Sequence, residues 1–158
     1  GDISRYEHQY VGGNFRLDAL QAAFLREKLS LLNSWVEKRR ANAKIYQQLL
    51  GGVGEIVLPA EVHNCHHTYN QFTIRVKNGK RDALKEYLTK AGIGNQVYYP
   101  IPLHRQKCFE KSFNECPESD RACAEVLSLP IYPELRPEQI EEVSGAVKNF
   151  FAGKLVST

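Results

Sequence analysis

Over the first third of the chain, apolar residues recur every three to four positions. Leu17, Leu20, Phe24 and Leu31 fall in one row with Lys28 as its polar member, and Leu25, Leu29 and Leu32 widen the stripe until two helix faces are covered. A helix apolar on two faces needs more than one packing partner. Trp35, Val36, Ala43, Tyr46, Leu49 and Leu50 continue the period, with a kink or short break open at Asn33 and Ser34 and an end at Gly51, Gly52 and Gly54. The period then changes to two. In Thr68 to Val76, β-branched and aromatic residues put Phe72, Ile74 and Val76 on one face of a strand, which the Asn78-Gly79 turn closes.

Residues 81 to 91 predict a short helix with Leu84, Tyr87 and Leu88 inward, stopped at Gly92. Ile93 to Tyr99 predicts a second strand, ended by Pro100 and Pro102. A further helix is expected after Cys116-Pro117, presenting Ala122, Cys123, Val126 and Leu127; Pro130 and Pro133 then confine the chain to a strand edge or an extended connection. The last helix has Pro137 in its first turn, Glu138 and Glu141 near its positive end, and Ile140, Val143, Val147 and Phe150 inward. Helices alternating with a few short strands predict an α+β domain, a small sheet holding residues 68 to 76 and 93 to 99 under a cover of helices, with the helix after Arg16 packed across it or against another subunit.

At 158 residues and 42% apolar content the chain can bury one substantial core, so one domain over residues 1 to 158 is expected. Twenty-one basic against eighteen acidic residues is too weak a bias to point to nucleic acid. The run Lys38-Arg39-Arg40 reads as the wet face of a helix. No apolar run approaches membrane-spanning length and no signal-peptide pattern opens the chain, so a cytoplasmic protein is expected, with no membrane partner. Cys65, Cys108, Cys116 and Cys123 form no CxxC pair and no regular framework, so reduced thiols are expected. Cys123 reads as a core residue. His63, Cys65, His66 and His67 carry metal-capable atoms, but the second half of a ligand pattern is missing, and turn and strand-end roles are expected instead. There is no serine-nucleophile motif, Walker loop or Rossmann fingerprint.

Two segments carry candidate chemistry. Gly12-Gly13-Asn14-Phe15-Arg16 is a glycine turn opening into a long helix, and a helix mouth offers unpaired N–H groups and a positive dipole end to an anion. Plain capping, by Asn14 or Asp18, is the other reading of the same residues. In Tyr98-Tyr99-Pro100-Ile101-Pro102-Leu103-His104, two phenols and an imidazole stand in a stiff proline-shaped loop, open to ligand binding or to loop packing.

Taken together these segments resemble the DegT/DnrJ/EryC1/StrS family of pyridoxal-phosphate-dependent sugar aminotransferases. The likeness lies in Gly13 to Ala23, in Lys38-Arg39-Arg40 and Tyr46, and in His67 to Val76. Its most specific stretch is Gly92 to Phe109, and Leu127-Ser128-Leu129-Pro130, Tyr132-Pro133 and the final helix complete it in order along almost the whole chain. The resemblance implies the C-terminal portion of a fold-type I enzyme that moves an amino group from an amino-acid donor to a nucleotide-linked keto sugar, with an active site shared between two subunits of a homodimer. It implies that the lysine holding pyridoxal phosphate belongs to a preceding large domain, so no catalytic residue is assigned here and the isolated chain is not expected to retain the cofactor. By the same likeness Asn14 and Arg16 are cofactor-side residues, Tyr99 and His104 are substrate-side residues, and Asn70, where some members carry histidine, has no fixed role. A dehydratase branch of the same scaffold, and a stand-alone binding or assembly module, are the alternatives.

Overall fold

The computed structural model describes residues 2–109 and 115–154, with the backbone alone at residues 2–4. The expected span of 1 to 158 therefore includes short stretches outside the described residues. Two antiparallel strands, β1 (Asp2–Ser4) and β2 (Glu7–His8), form a hairpin on their own. Helices α1 (Ala19–Leu29) and α2 (Leu32–Leu50) follow, and then an antiparallel sheet in the order β3 (Ile56–Val57), β4 (Phe72–Val76), β5 (Val126–Leu129). Between β4 and β5 lie α3 (Arg81–Lys90), the 3-10 turns Leu103–Arg105 and Lys107–Phe109, and α4 (Pro117–Glu125); α5 (Pro137–Phe151) comes last.

The period-two pattern of β4 decides the core. Phe72, Ile74 and Val76 are fully buried, Phe72 and Ile74 pair with Leu129 and Leu127, and this face meets Tyr46 of α2, Leu84 and Leu88 of α3, and Ile140, Val143 and Val147 of α5. Tyr46 stacks on Phe72 at 4.7 Å between ring centroids and donates its hydroxyl to the Pro130 carbonyl at 3.0 Å, while Asn42 donates to the Tyr132 carbonyl at 3.0 Å. Helix α2 thus fixes the loop that leaves β5. On the other face Thr73 meets the Ser128 hydroxyl at 2.8 Å and Arg75 meets Glu125 at 2.7 Å, which ties α4 to the sheet. The Asn78-Gly79 turn closes β4 as expected, both residues taking positive φ. Gly92, at φ +73, ends α3, and Tyr87 packs edge-on against Phe150. No helix among the described residues is long and apolar enough to cross a membrane.

Four expectations change, and of the two placements open to α1, across the sheet or against another subunit, the first drops out. Residues 93 to 99 do not form a strand: they make a single bridge, Gln96 to Ser128. The Asn95 amide donates to the Lys85 and Ile93 carbonyls instead, and this local capping of α3 competes with a ladder. Helix α4 stops at Glu125, so Val126 and Leu127 belong to β5; Arg81 donates to the Cys123 and Val126 carbonyls and closes the helix end. The break between the first two helices falls at Ser30-Leu31 rather than at Asn33-Ser34. Helix α1 is not packed across the sheet. None of its residues is buried, and Leu20, Phe24, Leu25 and Leu29 are each more than half exposed. Finally, Arg39 and Arg40 are not merely a wet face: Arg39 donates to the Thr68 carbonyl at 3.2 Å, and Arg40 to the His67 carbonyl at 2.7 Å and to Glu61 at 2.5 Å, stapling the loop before β4.

Candidate functional site

The helix mouth that raised the anion question is already filled. Asp18 caps α1, its carboxylate accepting from the Gln21 N–H at 2.8 Å while the Gln21 side chain accepts from the Asp18 N–H at 3.4 Å. A carboxylate there satisfies the Gln21 donor and offsets the positive dipole end, so capping by Asp18 accounts for this helix start. Of the two capping candidates Asp18 takes the role, and Asn14 is left for another. Its Oδ1 accepts from both the Arg16 N–H (3.2 Å) and Arg16 Nε (3.0 Å), which leaves the Asn14 amide donors and the two terminal guanidinium nitrogens of Arg16 for another group. A Cβ on Gly13 would stand 2.5 Å from the exposed Phe15 ring, which would have to move aside. Asn14, Arg16, Gly12, Gly13, His8 and Leu103 contribute to one cleft of about 590 Å³.

A second cleft of about 780 Å³ adjoins it, with His8 and Leu103 lining both. Tyr99 and His104 line this larger cleft, together with Tyr6, Gln106, Ser119 and Cys123. The prolines at 100 and 102 and the 3-10 turn Leu103–Arg105 fix the loop that presents Tyr99 and His104. Tyr99 is 59% exposed and meets Tyr6 edge-on at 5.5 Å. His104 is nearly covered and its Nε2 lies 3.3 Å from the Asp120 carboxylate. Arg105 holds the same carboxylate through Nε (2.5 Å) and Nη2 (2.9 Å). The hydrogen bond from Arg105, helped by His104, holds the Asp120 carboxyl below the usual carboxylate range. One imidazole is therefore fixed in orientation at the cleft wall by an anion that is itself clamped. Cys123 stands half-buried on this wall, not in the core as expected, and burial pushes its thiol up, which disfavours the thiolate.

The structure thus brings Tyr99 and His104 into one cleft and places Asn14 and Arg16 in its neighbour. Asn70 lies elsewhere, on a separate cleft of about 440 Å³ with Gln96 and Tyr98. His67 accepts from the Tyr69 N–H at 2.9 Å and His66 faces Glu37 at 3.1 Å, and no group of three metal-capable side chains occurs among the described residues. The sequence reading missed Tyr6, His8, Gln106 and Asp120. Asp120 carried a signal, an acidic residue in the first turn after Cys116-Pro117; the contacts of Tyr6, His8 and Gln106 join positions about a hundred residues apart and left no local trace.

Comparison with known proteins places the chain. Residues 1–148 match the DegT/DnrJ/EryC1/StrS aminotransferase family, and the chain belongs to that family. It is 41% identical to the pleiotropic regulatory protein of Geobacillus stearothermophilus, the match covering 96% of this chain and 41% of that protein. It is 38% identical to UDP-N-acetyl-3-dehydro-alpha-D-glucosamine 3-aminotransferase of Acidithiobacillus ferrooxidans, over 97% of this chain and 41% of that one. Among solved structures it superposes on S. venezuelae DesV in complex with a ketimine intermediate with a TM-score of 0.80 and 34% identity, covering 95% of this chain and 41% of DesV. The chain spans about two fifths of the length of the relatives it matches. Its small open sheet under helices matches the C-terminal domain of a fold-type I aminotransferase.

Proposed function

We propose that this chain is the C-terminal portion of a pyridoxal-phosphate-dependent aminotransferase that transfers an amino group from an amino acid, often glutamate, to a nucleotide-linked keto sugar. The observation that carries the reading is the pair of adjoining clefts, one lined by Asn14 and Arg16 and the other by Tyr99 and His104, with His8 and Leu103 lining both.

The residues fit one end of the cofactor. With its Oδ1 engaged by Arg16, Asn14 offers only donors to an incoming group, and Arg16 adds a cation; donors beside a guanidinium suit a phosphate. Among the described residues no lysine lines either cleft, and by likeness to the family the covalent attachment point belongs to the remaining part of the parent enzyme. Pyridoxal phosphate, when bound, supplies an electron sink for the proton shifts of amino transfer. This chain's share is to hold and orient. Asn14 and Arg16 hold the phosphate, Tyr99 offers a hydroxyl and a ring face to the sugar nucleotide, and His104, fixed by Asp120, binds a sugar or phosphate oxygen. The exposed apolar face of α1 supports an assembled state, which we read as a homodimer.

The test is Asn14→Ala in the complete parent enzyme. Loss of a hydrogen bond to a charged group, about 1.5 to 3 kcal/mol, corresponds to cofactor affinity weakened by roughly 10 to 150-fold. Melting temperature of the cofactor-free protein should stay unchanged, because Asn14 is exposed and touches only its own turn. Cofactor absorbance retained through dialysis at the wild-type level would remove Asn14 from the site.

A further inference from the structure

Gln106 is 4% exposed, yet it makes no bond to the core. Its amide is spent on the N-terminal hairpin: Oε1 accepts from the His8 N–H at 2.8 Å and Nε2 donates to the Tyr6 carbonyl at 2.8 Å. The exchange is reciprocal, one acceptor and one donor of a single planar amide matched to two backbone groups of one turn. A two-stranded hairpin is marginal in water by itself, so what fastens it decides where it stands. Three weaker contacts act on the same turn. The Tyr6 ring sits edge-on to Tyr98 at 6.5 Å and to Tyr99 at 5.5 Å, and Gln96 donates to the Tyr6 hydroxyl at 3.4 Å. Tyr6 itself has a φ of 70°, a left-handed conformation that costs a non-glycine residue strain and persists only where the surroundings hold it. Tyr6, His8 and Gln106 all line the larger cleft, and His8 lines the smaller one as well.

We infer that Gln106 is a positioning residue for ligand binding: its buried amide pins the N-terminal hairpin so that Tyr6 and His8 stand as the wall against which the nucleotide-linked sugar is held. This rests on the reading of the clefts given above. Tyr6 and Tyr99 then form an aromatic corner at the cleft, and Gln106 acts through Tyr6 and His8 rather than by touching ligand. Cys123 lines the same cleft as Tyr6 and His8, so its accessibility to a thiol reagent is a second readout of whether that cleft opens when the hairpin is released.

The test uses Gln106→Met, which keeps the side-chain length and removes both hydrogen bonds, with Gln106→Glu as a second variant that keeps the acceptor for His8. In the 158-residue chain, tryptic cleavage after Arg5 and alkylation of Cys123 by iodoacetamide should both run roughly 30-fold faster in Gln106→Met, the factor expected when two ordinary hydrogen bonds hold the closed state. Gln106→Glu should loosen the hairpin at least as much, because a buried carboxylate would face the Tyr6 carbonyl oxygen where the amide donated. Cleavage after Arg26 and alkylation of the exposed Cys65 should not move; if they rise in step, the loosening is general and the pin is refuted. Wild-type rates at both Arg5 and Cys123 refute it equally. In the complete parent, Gln106→Met and Tyr6→Ala should each raise KM for the nucleotide sugar about tenfold with kcat within about twofold, and the double variant should raise it by less than the product of the two single effects. An unchanged KM beside a released hairpin would overturn the wall. A parent enzyme with no nucleotide-sugar turnover would overturn the functional reading and leave the proteolysis and alkylation results to judge the pin.

Discussion

Tyr46→Phe isolates one hydrogen bond in the middle of the core. The ring is fully buried and stacked on Phe72, so the substitution leaves the packing in place and removes only the hydroxyl that donates to the Pro130 carbonyl at 3.0 Å. A buried acceptor losing its donor costs about 1 to 3 kcal/mol. For a chain of this size that lowers the melting temperature by about 2 to 12 °C, with the denaturant m-value unchanged. The pH dependence gives an independent check. Burial pushes the Tyr46 phenol far above its ordinary value, so the folded state keeps a proton that the unfolded chain releases above about pH 10. Stability that depends on this group is complete below that pH and falls by about 1.4 kcal/mol per unit above it. The phenylalanine variant has no such group. Urea unfolding of both proteins between pH 7 and 11 should therefore give a constant gap up to about pH 9.5 that narrows beyond about pH 10. A gap below about 0.5 kcal/mol at pH 7, or one that does not narrow, would refute the reasoning.

Asp120→Asn should flatten the acid limb of stability. Arg105 holds the Asp120 carboxyl low, so its contribution is present above the ordinary carboxylate range and is lost as pH falls through the lowered value. Melting temperatures from pH 7 to 2 should show the wild type ahead at neutral pH and the two proteins converging at the acid end; a gap that persists at pH 2 contradicts the assignment. Charging the face of α1 with Leu20→Glu and Phe24→Glu should leave monomer stability unchanged, since both residues are more than 60% exposed, while weakening self-association by about tenfold or more per site. Sedimentation velocity across a concentration series reads this directly, and an unaltered association constant would take α1 out of the interface.

What could be read ahead was whatever a local period encodes. The alternation Phe72, Ile74, Val76 and the helical spacing of Leu84 and Leu88, or of Ile140, Val143 and Val147, each name a buried face without help from distant residues, and all were found buried. The failures are places where side chains overrode the period. Asn95 turned a strand-like run into a helix cap, and Arg81 ended α4 so that Val126 and Leu127 could pair with β4. Two faces of leucine and phenylalanine predicted partners for α1, but amphipathicity does not say whether the partner lies in the same chain. A proline-framed loop made candidates of Tyr99 and His104 and a glycine turn made candidates of Asn14 and Arg16, and each pair lines a cleft. The wall between them depends on Gln106 reaching Tyr6 and His8, a contact of planar geometry rather than of spacing.

On the proposed function, these clefts are one share of a sugar aminotransferase whose attachment lysine lies in another part of the parent enzyme. The direct measurement supplies pyridoxal phosphate, glutamate and a panel of nucleotide-linked keto sugars in parallel to the purified 158-residue chain and to the complete parent enzyme, and follows cofactor absorbance and amino-sugar formation. Amino sugar from the parent and none from the chain alone is the predicted result. Turnover by the chain alone, with contaminating enzyme excluded, or a parent that aminates no member of the panel, would contradict it.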